Sequence, residues 1–153
     1  MIRIAPILAA LLISSPLSAK DSLGIFSDWA AFRDADAPRC YAIAKPNRPR
    51  TSDAYATIGN WPRQAVRNQV HLRLSRAPYE GARVRLVVGR SFHDLEVRGR
   101  DAWAKDRQTN AAIIAALRSA QAMRVTGGGL SDRYDLSGVA TAMDAATVGC
   151  AQS

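Results

Sequence analysis

The sequence predicts a mainly β fold with two short helices in its C-terminal third. Two observations lead there. From about residue 25 to residue 98, apolar residues come in short runs or alternate with polar ones, the period-2 mark of half-buried strands. Beyond residue 110 the apolar spacing lengthens twice to that of a helix face, at Ile113, Ile114 and Leu117 and again at Val139, Ala142, Met143 and Ala146.

Taken in order, Ile25 to Phe32 and Cys40 to Ala44 are apolar strand runs, parted by the turn formers Asp34, Asp36 and Pro38. Pro46-Asn47-Arg48-Pro49-Arg50 is a loop, because two prolines lack the N–H that a central strand donates. Tyr55 to Asn60 is a strand stopped by Trp61-Pro62. Val70, Leu72 and Leu74 alternate with His71, Arg73 and Ser75. Ala77 to Gly81 turns the chain, and Val84, Leu86 and Val88 then alternate with Arg83, Arg85 and Val87. After Gly89, Leu95 and Val97 share one face while Asp94, Glu96 and Arg98 share the other. Ala111, Ala112, Ala115 and Ala116 favour the first helix, with Asp106, Thr109 or Asn110 available to cap it. Met123 to Thr126 is a strand, Gly127-Gly128-Gly129 a flexible hairpin turn and Arg133 to Leu136 a short strand before the second helix.

Residues 1–19 are laid out as a secretory signal: Arg3, an apolar run from Ile4 to Leu12, the breakers Ser14, Ser15 and Pro16, and the small Ala19 at a cleavage position. The run is too short to anchor in a hydrocarbon core of about 30 Å, and no later stretch approaches the ~18 apolar residues of a spanning helix. No cysteine follows the signal to accept lipid. The expectation is therefore one exported domain over residues 20–153 with no transmembrane segment, periplasmic, outer-membrane associated or secreted.

Both cysteines, Cys40 and Cys150, lie in that domain, and an even count in an oxidising compartment favours a disulfide over two free thiols. The loop so closed is long enough for the crosslink to be worth roughly 4–5 kcal/mol on the chain-entropy account. The formal net charge is +8, of which the signal carries only Arg3, and Lys20, Lys45 and Lys105 are the only lysines. Arginine suits bidentate contact with carboxylates and phosphates. For an exported chain, acidic proteins or anionic envelope components are better partners than nucleic acid.

The residues from Asp101 to Cys150 are similar to the invasion-associated locus B family of exported bacterial proteins. The similarity rests on Asp101-Ala102-Trp103-Ala104, the alanine-rich helix Asn110 to Ala116, Met123-Arg124-Val125, then Asp132, Tyr134, Leu136 and Gly138, and the last helix closing on Cys150. Asp28-Trp29 and Cys40-Tyr41-Ala42-Ile43 resemble the family's opening strands. Two features depart from the family: Phe32 stands where a cysteine commonly follows the opening tryptophan, and glycines replace a threonine-rich turn. The resemblance implies an immunoglobulin-like β-sandwich in the periplasm or on the outer membrane and an association with host-cell entry. It implies no chemical activity.

The residues offer little catalytic chemistry. His71 and His93 stand alone in their strands without metal-ligand spacing, so neither metal nor cofactor is expected. There is no Gly-x-Ser-x-Gly elbow; a carboxylate pair could be drawn from Asp94, Glu96 and Asp101, but Asp94 and Glu96 read as the solvent-facing side of a strand. The triple glycine lacks the lysine and helix of a phosphate loop. Trp29 and Trp103 read as core or edge plugs, and Trp61 as a partly exposed turn residue. The remaining signal is arginine. If the strands around Val70–Ser75 and Val84–Val88 pair as a hairpin, Arg73, Arg83 and Arg85 share a surface with Arg67 and Arg76 at its ends, and like charges side by side on a sheet suggest a binding surface or neighbouring acids. The expected function is that of a non-enzymatic exported interaction protein presenting a basic sheet face to an acidic partner. The alternative is a periplasmic accessory or inhibitor module that docks through Pro46–Arg50 and Trp61–Arg63. A hydrolase is the weaker third, to be revived by a dry cleft pairing His71 or His93 with a carboxylate.

Overall fold

A computed structural model describes residues 20–34, 36–49 and 52–151. The signal expected at residues 1–19 and Arg50 of the proline loop lie outside the described residues.

The described residues form ten antiparallel strands and two α-helices, the mainly β, sandwich-like fold expected. The first apolar run divides. Ser27 and Asp28, two polar residues in its middle, make a two-residue turn with Ser27 at φ 54°, so β1 (Asp21–Phe26) and β2 (Trp29–Asp34) pair as a hairpin across Phe26 and Trp29. β3 (Arg39–Ala44), β4 (Tyr55–Trp61) and β5 (Val66–Arg73) extend the meander, with a 3-10 turn at Pro62–Gln64 between the last two.

The chain then crosses to the far half of the sheet. β6 (Arg85–Val88), β7 (Ser91–Arg98) and β8 (Asp101–Ala104) are consecutive hairpins, and β8 pairs with β5. α1 (Arg107–Leu117) returns the chain so that β9 (Ala122–Gly127) lies beside β6, a Greek-key arrangement. β10 (Leu130–Asp135) follows, and α2 (Val139–Ala151) ends the described chain.

The strip of strands curls until its β10 end folds back on the segments that follow β3 and β5. Arg133 in β10 donates to the Arg48 carbonyl at 2.8 Å, and its own carbonyl accepts from Asn47 at 2.8 Å, so the segment after β3 becomes β10's second neighbour. The carboxylate of Asp132, 1 % exposed, accepts from the Ser75 amide at 2.9 Å and from its hydroxyl at 2.5 Å, fastening β10 to the end of β5. The period-2 apolar residues of both halves then face one core: Ile58, Val70, Leu72 and Leu74 against Val84, Leu86, Val88, Met123 and Val125, with Trp29 and Tyr134 between. Burial and the nearby Asp132 carboxylate push the Tyr134 phenol well above its ordinary value.

Both helices close openings in this shell. α1 inserts Ile113 and Leu117. Of the three capping candidates Asp106 takes the role, accepting from the Thr109 amide, and that contact holds its carboxyl below the ordinary range. α2 lies across β1–β3 and delivers Cys150 to Cys40, forming the expected disulfide at a sequence separation of 110. No helix among the described residues is long and apolar enough to cross a membrane.

Candidate functional site

Among the described residues, a cluster of arginines without carboxylate partners lies on the outer face of β9, β10 and the 47–48 segment. Register explains it. The glycine turn pairs Gly127 with Leu130, and counting outward sets Arg124 opposite Arg133. Met123 and Val125 face inward with Leu130, Asp132 and Tyr134, so Arg124 and Arg133 must face out. The turn is packed, not loose as expected: a Cβ on Gly127 would stand 2.1 Å from the Arg83 carbonyl oxygen, and one on Gly128 2.4 Å from the Pro78 side chain.

A strand residue presents its N–H and C=O on one side, and those of Arg133 go to the 47–48 segment. Arg133 and Arg48 are thus a hydrogen-bonded pair with Cα atoms about 5.5 Å apart, while Arg133 and Arg124 form a non-hydrogen-bonded pair at about 4.5 Å, where side chains crowd most. Three arginines stand in one row across adjacent strands, and Val87 and Phe92 continue it. Like charges directly opposed on a sheet destabilise it. Among the described residues none of the three has a carboxylate partner. The acid on the same face of β10, Asp135, accepts from the Ser137 amide at 2.8 Å and hydroxyl at 2.6 Å, and these bonds hold its carboxyl below its ordinary value. A hollow of about 330 Å³ opens beside the row, lined by Asn47, Val87, Arg124 and Arg133 among others. Phe92 is 67 % exposed, with the Arg85 guanidinium 5.5 Å from its ring centre.

The five arginines singled out from the sequence do not gather as one hairpin. β5 lies between β4 and β8, and β6 between β7 and β9, because Leu74 and Val84 at the ends of the connecting segment are both buried in the shared core on opposite halves of the sheet. Arg83 and Arg85 flank the row just described, Arg85 bound to Asp94 at 3.0 Å. Arg73 sits on the other half, donating to Asp101 at 2.8 Å. Arg67 is exposed where β5 begins, and Arg76 is exposed beyond its end, beside Asp53 and Ser75. Arg48, Arg124 and Arg133 were missed. The signal was available: a hairpin centred on Gly128-Gly129 fixes Arg124 opposite Arg133 by counting alone.

His71 does meet a carboxylate, Asp101 Oδ1 at 3.0 Å from its Nε2, and stacks on Trp103 at 5.2 Å. That carboxylate is shared with Arg73, and His71 lines none of the hollows described. His93 faces inward opposite Leu86, and burial lowers its pKa. Trp29 is fully buried, its indole N–H donating to the Asp135 carbonyl, while Trp103 is half-buried. The loops of the docking alternative are held: Asn47 and Arg48 on β10, and Trp61 as the last residue of β4 with its ring over Gly59. No group of three metal-ligating side chains gathers among the described residues. Comparison with family models, curated proteins and solved structures gave no match to this chain.

Proposed function

We propose that this chain is an exported, non-enzymatic interaction protein of the cell envelope that holds an anionic, phosphate-bearing surface against the outer face of β6, β9 and β10. The observation that carries this reading is the row Arg48–Arg133–Arg124, opposed on neighbouring strands with no acid between them. Such a row costs stability when nothing sits on it, and guanidinium groups match phosphate oxygens in pairs. Phe92 at the end of the row adds an exposed apolar ring, which suits headgroups above acyl chains better than an acidic protein. The disulfide supports export, since such bonds persist in oxidising compartments. The resemblance of residues 101–150 to the invasion-associated locus B family sides with the same reading, and its association with host entry belongs to the proposal.

The test is partition onto vesicles. Vesicles rich in phosphatidylglycerol should capture the protein at low salt and release it as salt rises, because the Debye length shrinks from about 10 Å at 0.1 M to about 3 Å at 1 M. Arg133→Glu should abolish capture. Equal capture by phosphatidylcholine vesicles, or capture unaffected by Arg133→Glu, removes the proposal.

A further inference from the structure

A second site forms where β5 and β8 part. The two strands pair only as far as His71 opposite Trp103, because β8 ends one residue later and the chain turns into α1 at Arg107. β5 extends back to Val66, so a hollow of about 480 Å³ opens between residues 65–70 and 103–110, a size that suits a small ligand. Asn110 ties its two sides together, its carboxamide bonded to the backbone of Asn68 and Val70.

One wall of the hollow is aromatic, and its placement is fixed. Val70, Leu72 and Ala102 are buried, so their strand neighbours Gln69, His71 and Trp103 face outward. The Trp103 ring lies against His71 at 5.2 Å, His71 meets the Tyr55 ring at 5.9 Å, and Asp101 holds the imidazole. Trp103 still keeps part of its surface open and lines the hollow. The rim is polar and reaches solvent. Arg67, Gln69 and Arg107 line it, all three are exposed, and none of their side chains has a partner among the described residues. The acid on the rim, Asp106, caps α1 by accepting from the Thr109 amide and pairs with neither arginine.

Two unpaired guanidiniums, a carboxamide and an indole thus border one cavity. Guanidiniums take carboxylates in paired hydrogen bonds, a carboxamide serves hydroxyls as donor and acceptor, and an indole supplies a broad apolar wall. A bare anion has no use for the indole, and an apolar molecule leaves both arginines unmet. We propose that this hollow binds an acidic saccharide, its carboxylate on Arg67 and Arg107, its hydroxyls on Gln69 and its sugar ring against Trp103. The choice of a saccharide over a nucleotide rests on the exported reading; the arginine row plays no part in it.

The experiment follows the Trp103 indole N–H resonance of the isotope-labelled protein during titration with trigalacturonate, its uncharged methyl ester and uridine monophosphate. Trigalacturonate should move that resonance saturably, and the ester should bind about tenfold more weakly or worse. Arg67→Gln and Arg107→Gln, both at exposed positions, should each weaken trigalacturonate binding about tenfold. Arg118→Gln removes the same charge from a guanidinium already bound to Asp144 and should leave binding unchanged. Silence toward trigalacturonate, equal binding of the ester, or losses in the two rim variants no greater than in Arg118→Gln overturns the assignment and leaves the exported reading standing. Tighter binding of uridine monophosphate overturns it too, and counts against the exported reading as well.

Discussion

Asn110, in the first turns of α1, reaches 42 residues back to β5: its Nδ2 donates to the Asn68 carbonyl at 2.9 Å and its Oδ1 accepts from the Val70 amide at 3.0 Å. The β5–β8 ladder runs only from His71 to Arg73, so those two backbone groups lie past its end, and one carboxamide serves both. Asn110→Ala should destabilise the fold by about 2–3 kcal/mol, and Asn110→Asp, which keeps only the acceptor, by less, read as midpoints in urea unfolding. From the sequence, Asn110 was legible only as a capping candidate, because nothing local to residue 110 announces a strand irregularity forty residues earlier. His93 is the second residue with a testable consequence. Burial lowers its pKa from the ordinary 6.5, so the unfolded chain binds a proton there more readily than the folded one. Its contribution to stability is present above pH 6.5 and is lost as pH falls below that value. Between about pH 7.5 and about pH 5 the melting temperature of the natural chain should fall more than that of His93→Gln; parallel curves would contradict the assignment.

At the scale of elements, β9 and β10 set folding against the proposed binding. The turn register that buries Met123, Val125, Asp132 and Tyr134 obliges Arg124 and Arg133 to face each other outside. Relieving the repulsion should therefore help the fold while harming the surface: Arg124→Thr should raise the melting temperature at low salt by about 2 °C or more, with the gain shrinking in high salt. The turn itself tolerates nothing larger than glycine at its first position. Gly127→Ala should cost more than 3 kcal/mol in chemical unfolding, because its φ of 113° and the Arg83 carbonyl both refuse a Cβ. Strand positions were readable from period-2 alternation wherever one face met the core. The split of β1 from β2 was not, because Ser27-Asp28 interrupts the apolar run too briefly to part it. Pairing was least readable: the β5–β6 hairpin looked local in sequence, but both partners had better neighbours, β8 and β9, brought from a distance.

For the whole molecule, the crosslink and the curl of the sheet act together. Cys40 and Cys150 were readable as a pair from their count, and the structure joins the third strand to the last helix across 110 residues. Replacing both by alanine should cost about 4–5 kcal/mol and leave the strand pattern in circular dichroism unchanged, since the two cysteines sit in a small satellite cluster with Ala31 and Ala146, outside the main core. The closure of β10 on Asn47 and Arg48 is what creates the third rung of the arginine row, and it was invisible in the sequence because it joins a proline loop to a strand more than eighty residues away. The proposed surface binding thus depends on topology, and the partition of two double variants onto phosphatidylglycerol vesicles tests that dependence most directly. Arg124→Gln with Arg133→Gln should lose capture down to the level of neutral vesicles, whereas Arg73→Gln with Arg85→Gln, whose arginines are already bound to Asp101 and Asp94, should keep most of it. Equal losses in the two would mean that overall charge, and not the row, holds the surface.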